Sequence, residues 1–223
     1  MQTSIEMHVP DVVVPWRMPR KRLTREESRE QTRLRLMDAA AVVIAKKGLS
    51  ATSVEDVAGH AGYTRGAFYS NFKSKTDLFI ELLKRDHGDI QESLQQLLDT
   101  DLSGEDLQRQ LALFFGQCYG DNTSYVLWAE ARLHSVRDAK FRQRLNALCL
   151  EKRDVIAYFI TQFCKRMDMP LPASAADLAL AMMGLIDGVK YFNISMPNEM
   201  PDASAESILS MIFSATFFGS RAA

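Results

Sequence analysis

The sequence predicts an all-α protein of about nine helices. Gly (11 residues) and Pro (7) are scarce in a chain of 223 residues, 47% of which are hydrophobic. This composition favours helices around a substantial buried core. Apolar side chains also recur at the three- and four-residue spacing of a helix face. We expect a basic arm over 1–23, a three-helix head over 24–75 and a helical body over 76–223.

The first 23 residues are predicted to form a flexible basic arm. They show no hydrophobic period, and four cations lie close together near their end. Such an arm can enter the minor groove of DNA or contact phosphates. A solvated tail without function remains an equal alternative. The four cations are Arg17, Arg20, Lys21 and Arg22.

Helix one is predicted to begin after Thr24, because Thr24 and Glu27 have the spacing of a capping box. It should end near Lys47, since Gly48 follows two lysines that suit the negative end of the helix dipole. The predicted apolar stripe consists of Leu34, Met37, Ala41, Ile44 and Ala45.

Residues 53–60 and 65–71 are predicted to be two short helices joined by a turn that contains Gly62. This is the arrangement by which proteins present a helix to the major groove of DNA. Three polar residues supply the helix-start signals for helices two, three and four. They are Thr52 with Glu55 three residues later, Thr64, and Ser74 with Asp77 three residues later.

Helix three has one apolar face and one face of small and polar residues. Phe68 and Phe72 are four residues apart, so both are predicted to point toward the other two helices. Small residues on the opposite face let a helix backbone approach base edges, and Tyr or Lys at the rim can reach phosphates. The outward set is Gly66, Ser70 and Lys73, flanked by Tyr63, Ala67 and Tyr69.

Helix four is predicted from Ser74 to about residue 99, and five more helices follow at about 105–119, 125–136, 139–167, 174–195 and 204–219. The last two are apolar on more than one face, which requires cover from both sides. A second copy of the chain would provide that cover in a four-helix interface; burial inside one monomer is the alternative. The predicted interface residues are Leu178, Met182, Leu185, Ile186, Ile208, Met211 and Ile212.

The charges are unevenly distributed along the chain. The formal net charge is −1, but residues 1–75 hold 13 Lys and Arg against 8 Asp and Glu, a net charge of +5. The remaining residues carry a net charge of −6. A basic head on an acidic body fits contact with DNA through one end.

Several classes of function find no support in the sequence. No run approaches the roughly 18 apolar residues of a membrane span, and no signal-peptide core is found, so we expect a cytoplasmic, nucleoid-associated protein. The odd, widely spaced Cys118, Cys149 and Cys164 suggest reduced thiols. No catalytic residue, metal ligand or cofactor is predicted. A metalloprotein or enzyme on a helical bundle is the weakest alternative, since Glu-x-x-His pairs are lacking.

Residues 29–99 resemble the DNA-binding head of the TetR (tetracycline-repressor) family. The similar segments are AVVIAKKG (41–48), TSVEDVA (52–58), GYTRGAFY (62–69), FKSK (72–75) and the pair at 77–78. The run TRGAFY looks most like the branch that represses multidrug-efflux genes. Residues 100–223 match the family only in helix number and general layout.

The resemblance implies DNA contacts at Thr52, Thr64, Arg65, Gly66, Tyr69, Asn71 and Lys75. The first and last of these, with Tyr69, would hold phosphates, while Arg65, Gly66 and Ala67 would lie nearest the base edges. The chain departs from many relatives by having Asn71 where they have His, and Ser70 where they have an aromatic residue. The outward face of helix three adds Tyr63, Ser70 and Lys73 to the predicted contacts.

The resemblance also implies a dimeric repressor that a small apolar ligand releases from an operator in double-stranded DNA. A ligand-independent regulator, or an activator, remains an alternative. The expected partners are operator DNA, a second copy and a small hydrophobic effector, without a membrane. Aromatic and polar residues on the central helices are candidates for the effector pocket, although each also suits plain core. They are Phe114, Cys118, Trp128, Arg132, His134, Phe159 and Phe163.

Overall fold

The computed structural model describes residues 24–100, 106, 110 and 122–218. The regular structure of these residues is entirely helical, which confirms the predicted all-α class. The predicted arm lies outside the described residues, as does the helix over 105–119 apart from Asp106 and Gln110, both helical. The described helices are α1 (Arg25–Lys47), α2 (Val54–His60), α3 (Arg65–Tyr69), α4 (Lys75–Asp99), α5 (Asn122–Arg137), α6 (Ala139–Arg166), α7 (Ala175–Ser195) and α8 (Asp202–Phe218).

The capping box and the glycine stop predicted for α1 are both confirmed. Thr24 Oγ1 accepts the Glu27 N–H at 3.1 Å, and Glu27 Oε2 accepts the Thr24 N–H at 2.7 Å. Gly48 has φ +81°, which favours glycine because a Cβ would strain the backbone. A Cβ on Gly48 would also lie 3.2 Å from Glu130 Oε2, so α5 approaches α1 closely at this point.

The predicted apolar stripe of α1 is wrong at Leu34, which is 41% exposed. The inward face begins two residues later, because Leu36, Ala40 and Ile44 are spaced by four residues and are the most deeply buried. Met37 is buried beside them, as predicted.

The predicted cap of α2 is wrong by one residue, since Ser53 and not Thr52 occupies that position. Ser53 Oγ accepts the Asp56 N–H at 3.0 Å, and Asp56 Oδ2 accepts the Ser53 N–H at 2.7 Å. Thr52 is 2% exposed and donates its hydroxyl to the Gly48 carbonyl at 2.8 Å. The turn after α1 leaves that carbonyl without a helical partner, and Thr52 supplies the donor.

Helix α3 is short and is capped by Thr64, whose Oγ1 accepts the Ala67 N–H at 3.3 Å. It ends at Tyr69, two residues before the predicted end. Gly62, with φ +75°, makes the turn between α2 and α3. Phe68 and Phe72 are both buried, which confirms the predicted inward face.

The core of the head continues into the body without a break. The first half of α4 packs on α1–α3, and Phe79 of α4 stacks on Phe141 of α6 with ring centroids 5.9 Å apart. The same cluster contains Leu127 and Ala131 of α5. The helix-turn-helix is therefore mounted directly on α4, α5 and α6.

Two smaller apolar clusters lie deeper in the body. One joins the second half of α4 to α6 and α7 around Phe159, Phe163 and Ala179. The other joins α7 to α8 around Val189 and Leu209. Within the described part of the chain, no helix is long and apolar enough to cross a membrane.

Candidate nucleic-acid interface and effector cavity

Helix α3 exposes polar and small residues on the side opposite its buried phenylalanine. Phe68 is fully buried, whereas Thr64, Arg65, Gly66, Tyr69 and Ser70 are exposed. Lys73 is also exposed just beyond the helix, and Tyr63 and Ala67 are half-buried at its flanks. These residues form one continuous surface, which we call the α3 surface.

Arg65 is held over the α3 surface by weak contacts. Its Nη1 lies 3.0 Å from Glu55 Oε1, and its guanidinium lies 5.4 Å from the centroid of the Tyr69 ring. Both members of the ion pair are more than half exposed, so water screens the attraction. A phosphate or a guanine edge can replace Glu55 as the acceptor with little loss of stability.

Gly66 is not required by the packing of the chain itself. A Cβ at this position would meet only Thr64 Oγ1, at an ordinary contact distance of 3.7 Å. The residue is the second of the short helix α3 and is exposed. The absence of a side chain there leaves the helix backbone open to close approach from outside.

Three predicted DNA contacts face the protein instead. Thr52 is buried, as described above. Asn71 is half-buried and donates its Nδ2 to the Ala67 carbonyl at 2.8 Å. Lys75 Nζ donates to the carbonyls of Leu49 (2.9 Å), Ser50 (3.2 Å) and Thr52 (2.7 Å). In this conformation these side chains position α3 and tie the loop before α2 to the start of α4.

Two arginines of α1 that sequence reasoning missed hold the end of α3. Arg29 Nη2 donates to the Ser70 carbonyl at 3.3 Å, and Arg33 Nη1 donates to the Asn71 carbonyl at 3.4 Å. Arg33 also pairs with Glu81 at 2.9 Å. A cation near the C-terminus of a helix is favourable because it meets the negative end of the helix dipole. These contacts could not be predicted from local sequence patterns, because they join residues about 40 positions apart.

The body contains a cavity of about 210 Å³ between α4, α5, α6 and α7. Its wall is mainly apolar, with Trp128 of α5 and Phe159 of α6 among the aromatic residues. We call it the effector cavity, as the candidate binding site of the predicted effector. Its described lining residues are Ile90, Leu94, Tyr125, Trp128, Arg132, Cys149, Lys152, Ile156, Phe159, Met182, Met183, Ile186, Asp187 and Lys190.

Charged groups also reach the wall of the effector cavity. Arg132 Nη1 pairs with Asp187 Oδ2 at 2.9 Å, joining α5 to α7. Lys152 Nζ lies 4.6 Å from the centroid of the Trp128 ring, and Lys190 is only 3% exposed. Burial raises the pKa of the Tyr125 phenol above its usual value.

The structure brings three of the predicted pocket residues together and leaves two apart. Trp128, Arg132 and Phe159 line the effector cavity. His134 lies outside it and packs on Phe141, with ring centroids 4.8 Å apart. Phe163 is buried in the core between Phe159 and Phe213. The predicted pocket residues Phe114 and Cys118 lie outside the described residues.

Helix α5 connects the effector cavity to the head. Trp128 and Arg132 line the cavity, and Glu130 between them points to the other side, where its Oε2 accepts the Leu49 N–H at 3.0 Å. Trp128 Nε1 also donates to Asp86 Oδ2 of α4 at 2.6 Å. A shift of α5 therefore acts directly on the loop after α1 and on α4.

The predicted dimer residues differ in how exposed they are. Met211 is 61% exposed, while Leu178, Met182, Leu185, Ile186, Ile208 and Ile212 are half-buried along α7 and α8. Met182 and Ile186 line the effector cavity as well as an apolar groove between α7 and α8. The most exposed apolar residues nearby include Leu180 and Tyr191, which sequence reasoning missed.

Metal binding finds no support in the part of the chain that the structure describes. No three His, Cys, Asp or Glu side chains are grouped there in a way that could hold an ion.

Comparison with known proteins shows what this chain is similar to. Residues 36–82 match the model of the bacterial regulatory proteins of the tetR family. The regulator AcrR of Shigella flexneri is 29% identical over 174 residues, covering 75% of this chain and 80% of AcrR. The regulator TtgR of Pseudomonas putida is 28% identical over 181 residues, covering 75% of this chain and 82% of TtgR.

A solved structure shows the same fold. The transcriptional regulator FadR from Bacillus subtilis, in complex with stearoyl-CoA, superposes with a TM-score of 0.67 at 21% identity, covering 81% of this chain and 97% of that chain. The resemblance to the TetR family is confirmed by the family model and by these relatives.

Proposed function

We propose that this chain is a homodimeric transcriptional regulator, a repressor that leaves its operator when a small, largely apolar effector fills the effector cavity. One observation carries the proposal: α5 joins the largely apolar effector cavity to a helix-turn-helix whose exposed helix carries small and polar residues. The names of its relatives describe transcriptional regulators, and the similar FadR structure holds stearoyl-CoA.

The α3 surface would enter the major groove of the operator. Gly66 lets the helix backbone approach the base edges, and Arg65 at the N-terminal end can donate two hydrogen bonds to a guanine. Tyr69 and Lys73 at the rim would contact phosphates. Thr52, Asn71 and Lys75 would act from inside, by holding the loop and the end of α3 in place.

The apolar face of α7 and α8 would join two copies. Leu180, Tyr191 and Met211 are each about half exposed or more, and such a face on a monomer marks an interaction site. A Cβ on Gly184 or Gly188 would meet nothing within 4 Å, so the backbone of α7 is open to close packing by a partner helix. A four-helix interface would then set the spacing of the two heads, about 34–36 Å for half-sites one helical turn apart.

Release would follow from movement of α5 and α4. An effector that binds next to Trp128 would favour a different position of α5, and Glu130 would transmit the change to the loop after α1. The effector shifts the equilibrium only because it binds the released conformation more tightly than the DNA-bound one.

The test is fluorescence anisotropy of the full chain on DNA from upstream of its own gene, across a salt series and with competitor DNA. We expect tight, sequence-specific binding that weakens with salt in proportion to the phosphates contacted. Gly66→Val should abolish specific binding, whereas the matched Gly59→Ala in α2, where a Cβ meets nothing, should not. Weak binding of the wild type, independent of sequence, would contradict the proposal.

The dimer has a separate test in sedimentation equilibrium. We expect a dimer for the wild type and a monomer for Gly184→Arg, because the arginine would fill the space that the partner helix needs. Lys165→Arg on the exposed end of α6 serves as the control. A wild-type monomer at all concentrations would contradict the proposed dimer.

The sign of regulation is tested by transcription of the target gene. Increased transcription in the presence of the protein would show activation and contradict the proposed repression.

A further inference from the structure

A carboxylate lies against the α3 surface, although it would repel the phosphates of an operator. Residues 62–76, which include the whole of this surface, contain no Asp or Glu. Glu55 of α2 is exposed and places its Oε1 3.0 Å from Nη1 of Arg65. We propose that Glu55 is a positioning residue for sequence reading, which holds Arg65 toward the base edges and keeps it from phosphates. This inference rests on the proposed function, because it concerns how the α3 surface selects its DNA.

The guanidinium of Arg65 contacts an aromatic ring as well as the carboxylate. It lies 5.4 Å from the centroid of the Tyr69 ring, and Tyr69 follows four residues later on the same face of α3. That ring is in edge contact with the fully buried Phe68, with ring centroids 5.4 Å apart. The tyrosine ring is therefore a supported platform, and the charge of Glu55 selects among the positions that the guanidinium can take beside it.

The contact with Glu55 leaves Arg65 able to read a guanine. A guanidinium has five N–H donors on three nitrogens, and a guanine edge accepts two of them at O6 and N7. Glu55 meets the guanidinium at Nη1. In the described part of the chain, no protein group accepts a hydrogen bond from Nε or Nη2 of Arg65. A guanine can therefore bind Arg65 without displacing Glu55.

A phosphate meets Arg65 less favourably than a guanine does. It carries a full negative charge, so wherever it pairs with Arg65 it comes close to Glu55 and is repelled. The guanine edge carries no net charge and is repelled far less. Because both members of the ion pair are more than half exposed, the repulsion lowers the affinity for phosphates without preventing binding. Glu55 therefore opposes sequence-independent binding, which phosphate contacts dominate, more than it opposes the reading of a base.

The neighbouring carboxylate of α2 has a different role. Asp56 forms the capping box with Ser53 and pairs with Lys47 at 2.6 Å, which joins α2 to α1. Glu55 takes no part in that cap, and its ion pair is with Arg65. The contacts that hold α2 in place belong to Asp56, so the charge of Glu55 can be removed while those contacts stay intact.

The test starts from a binding site that the wild-type chain selects out of a library of random duplexes. Fluorescence anisotropy on the single-base-pair variants of that site shows where Arg65→Ala loses discrimination, which identifies the base pair read by Arg65. Glu55→Gln removes the charge of the side chain and keeps its size. We expect Glu55→Gln to reduce discrimination at that base pair by about five- to tenfold, a part of what the contact of arginine with guanine supplies.

Binding to unrelated DNA should change in the opposite direction. On a duplex without the selected site, we expect Glu55→Gln to bind about two- to fivefold more tightly than the wild type, the range that an exposed ion pair contributes. The plot of log affinity against log salt concentration should steepen by about 0.9, because one more cation is free to meet a phosphate. Glu30→Gln on the exposed face of α1 is the matched control and should leave discrimination at the Arg65-dependent base pair unchanged.

Unchanged discrimination in Glu55→Gln, or the absence of any base pair that depends on Arg65, would overturn the proposal. Equal effects of Glu55→Gln and Glu30→Gln would overturn it as well, because overall charge would then explain the change. Denaturant unfolding is measured for each variant, and a loss of stability with weaker binding to all DNA would assign Glu55 to the fold instead. A wild-type chain that selects no sequence contradicts the proposed function, whereas failure of the Glu55 comparison alone contradicts only this inference.

Discussion

The α3 surface and the effector cavity use charged residues in opposite ways. Arg65 extends into solvent and is held only by an exposed carboxylate and a tyrosine ring. In the cavity, Lys190 is almost completely buried and Lys152 lies against Trp128. An exposed cation is free to meet an external polyanion, whereas a buried one is tied to the packing of the helices around it.

The difference extends to how each region is built. The helix ends of the helix-turn-helix are set by contacts close in sequence, such as the Ser53–Asp56 capping box and the Thr64 cap. The cavity is assembled from single residues of four helices, so each wall depends on tertiary packing. Because Trp128 belongs both to the cavity wall and to the core under the helix-turn-helix, a change in packing should affect the two regions separately only where it lies away from Trp128.

The largest expected effects come from removing a buried ring in one of two apolar clusters, the one around Phe68 or the one around Phe163. Phe68→Ala and Phe163→Ala each remove a fully enclosed phenyl ring, at a cost of about 3–5 kcal/mol in the free energy of unfolding. We expect Phe68→Ala to weaken operator binding more than the binding of an apolar probe such as decanol, because Phe68 lies under the α3 surface and its cluster reaches the cavity only at the edge formed by Trp128. Phe163→Ala should weaken binding of the probe more than binding of DNA. Chemical denaturation, anisotropy and calorimetry measure the three quantities.

The control for this pair is Leu34→Ala, a large residue of α1 that is exposed. It should leave stability, DNA affinity and ligand affinity nearly unchanged. If Phe68→Ala and Phe163→Ala instead abolish both activities together, the two regions fold as one unit and the comparison fails.

The second effect is confined to the α3 surface. Arg65→Ala should weaken operator binding by about 1–3 kcal/mol, since it removes a donor to a base edge or a phosphate. Stability should hardly change, because the lost ion pair with Glu55 is exposed. Lys165→Ala is a matched loss of positive charge outside the head. Equal losses of DNA affinity in both variants would mean that only overall charge matters.

The third effect tests the connection between the regions. Glu130→Ala removes the acceptor for the Leu49 N–H but leaves Trp128 and Arg132 in the cavity wall. We expect both operator and ligand to bind, with the coupling between them reduced by about 0.5–2 kcal/mol. The ratio of operator affinities with and without a saturating effector measures that coupling. An unchanged ratio would place the coupling in the Trp128–Asp86 contact instead.

Local signals in the sequence were sufficient for most of the head. Helix ends are determined by caps and glycines within four residues, so α1, α3 and the turn at Gly62 could be predicted closely. The errors at Leu34 and Thr52 arise where two neighbouring residues satisfy the same pattern. Leu36 and not Leu34 packs against α4, and Thr52 is not the cap of α2 because its hydroxyl donates to the Gly48 carbonyl.

The cavity was predictable only in part, for a physical reason. Trp128 and Phe159 could be chosen because aromatic residues on central helices line pockets or cores. Whether such a residue faces a space or a neighbour depends on how α6 packs on the other helices. Phe159 lines the cavity, whereas Phe163, one turn later, packs between Phe159 and Phe213. Lys152 and Asp187 were missed because a charged residue on a helix usually faces solvent.

The smallest expected effect concerns His87, which lies on α4 between the head and the cavity. It is buried, and its Nδ1 has no hydrogen-bond partner among the described residues. Burial, and next the charge of Lys152, lower the pKa of His87 below its usual 6.5, while Glu151 and Asp86 oppose this.

Because its folded-state pKa is the lower one, the unfolded chain binds more protons at His87 in the window just below pH 6.5. The contribution of His87 is therefore complete above that pH and is lost as the pH falls. We expect the free energy of unfolding to decline on acidification in the wild type and to decline less in His87→Gln. The exposed His60 gives the matched control, His60→Gln.

Denaturant unfolding at pH 7.5, 6.5 and 5.5 measures the decline. The carboxyl groups of Asp56 and Asp77 do not interfere, because hydrogen bonds from Lys47 and Ser74 respectively keep their pKa values below 3.8, outside this window. If His60→Gln reduces the decline as much as His87→Gln does, the acid sensitivity belongs to the surface of the head. If only His87→Gln does so, it belongs to the buried contact of α4 with the body, the segment that the proposed effector would move.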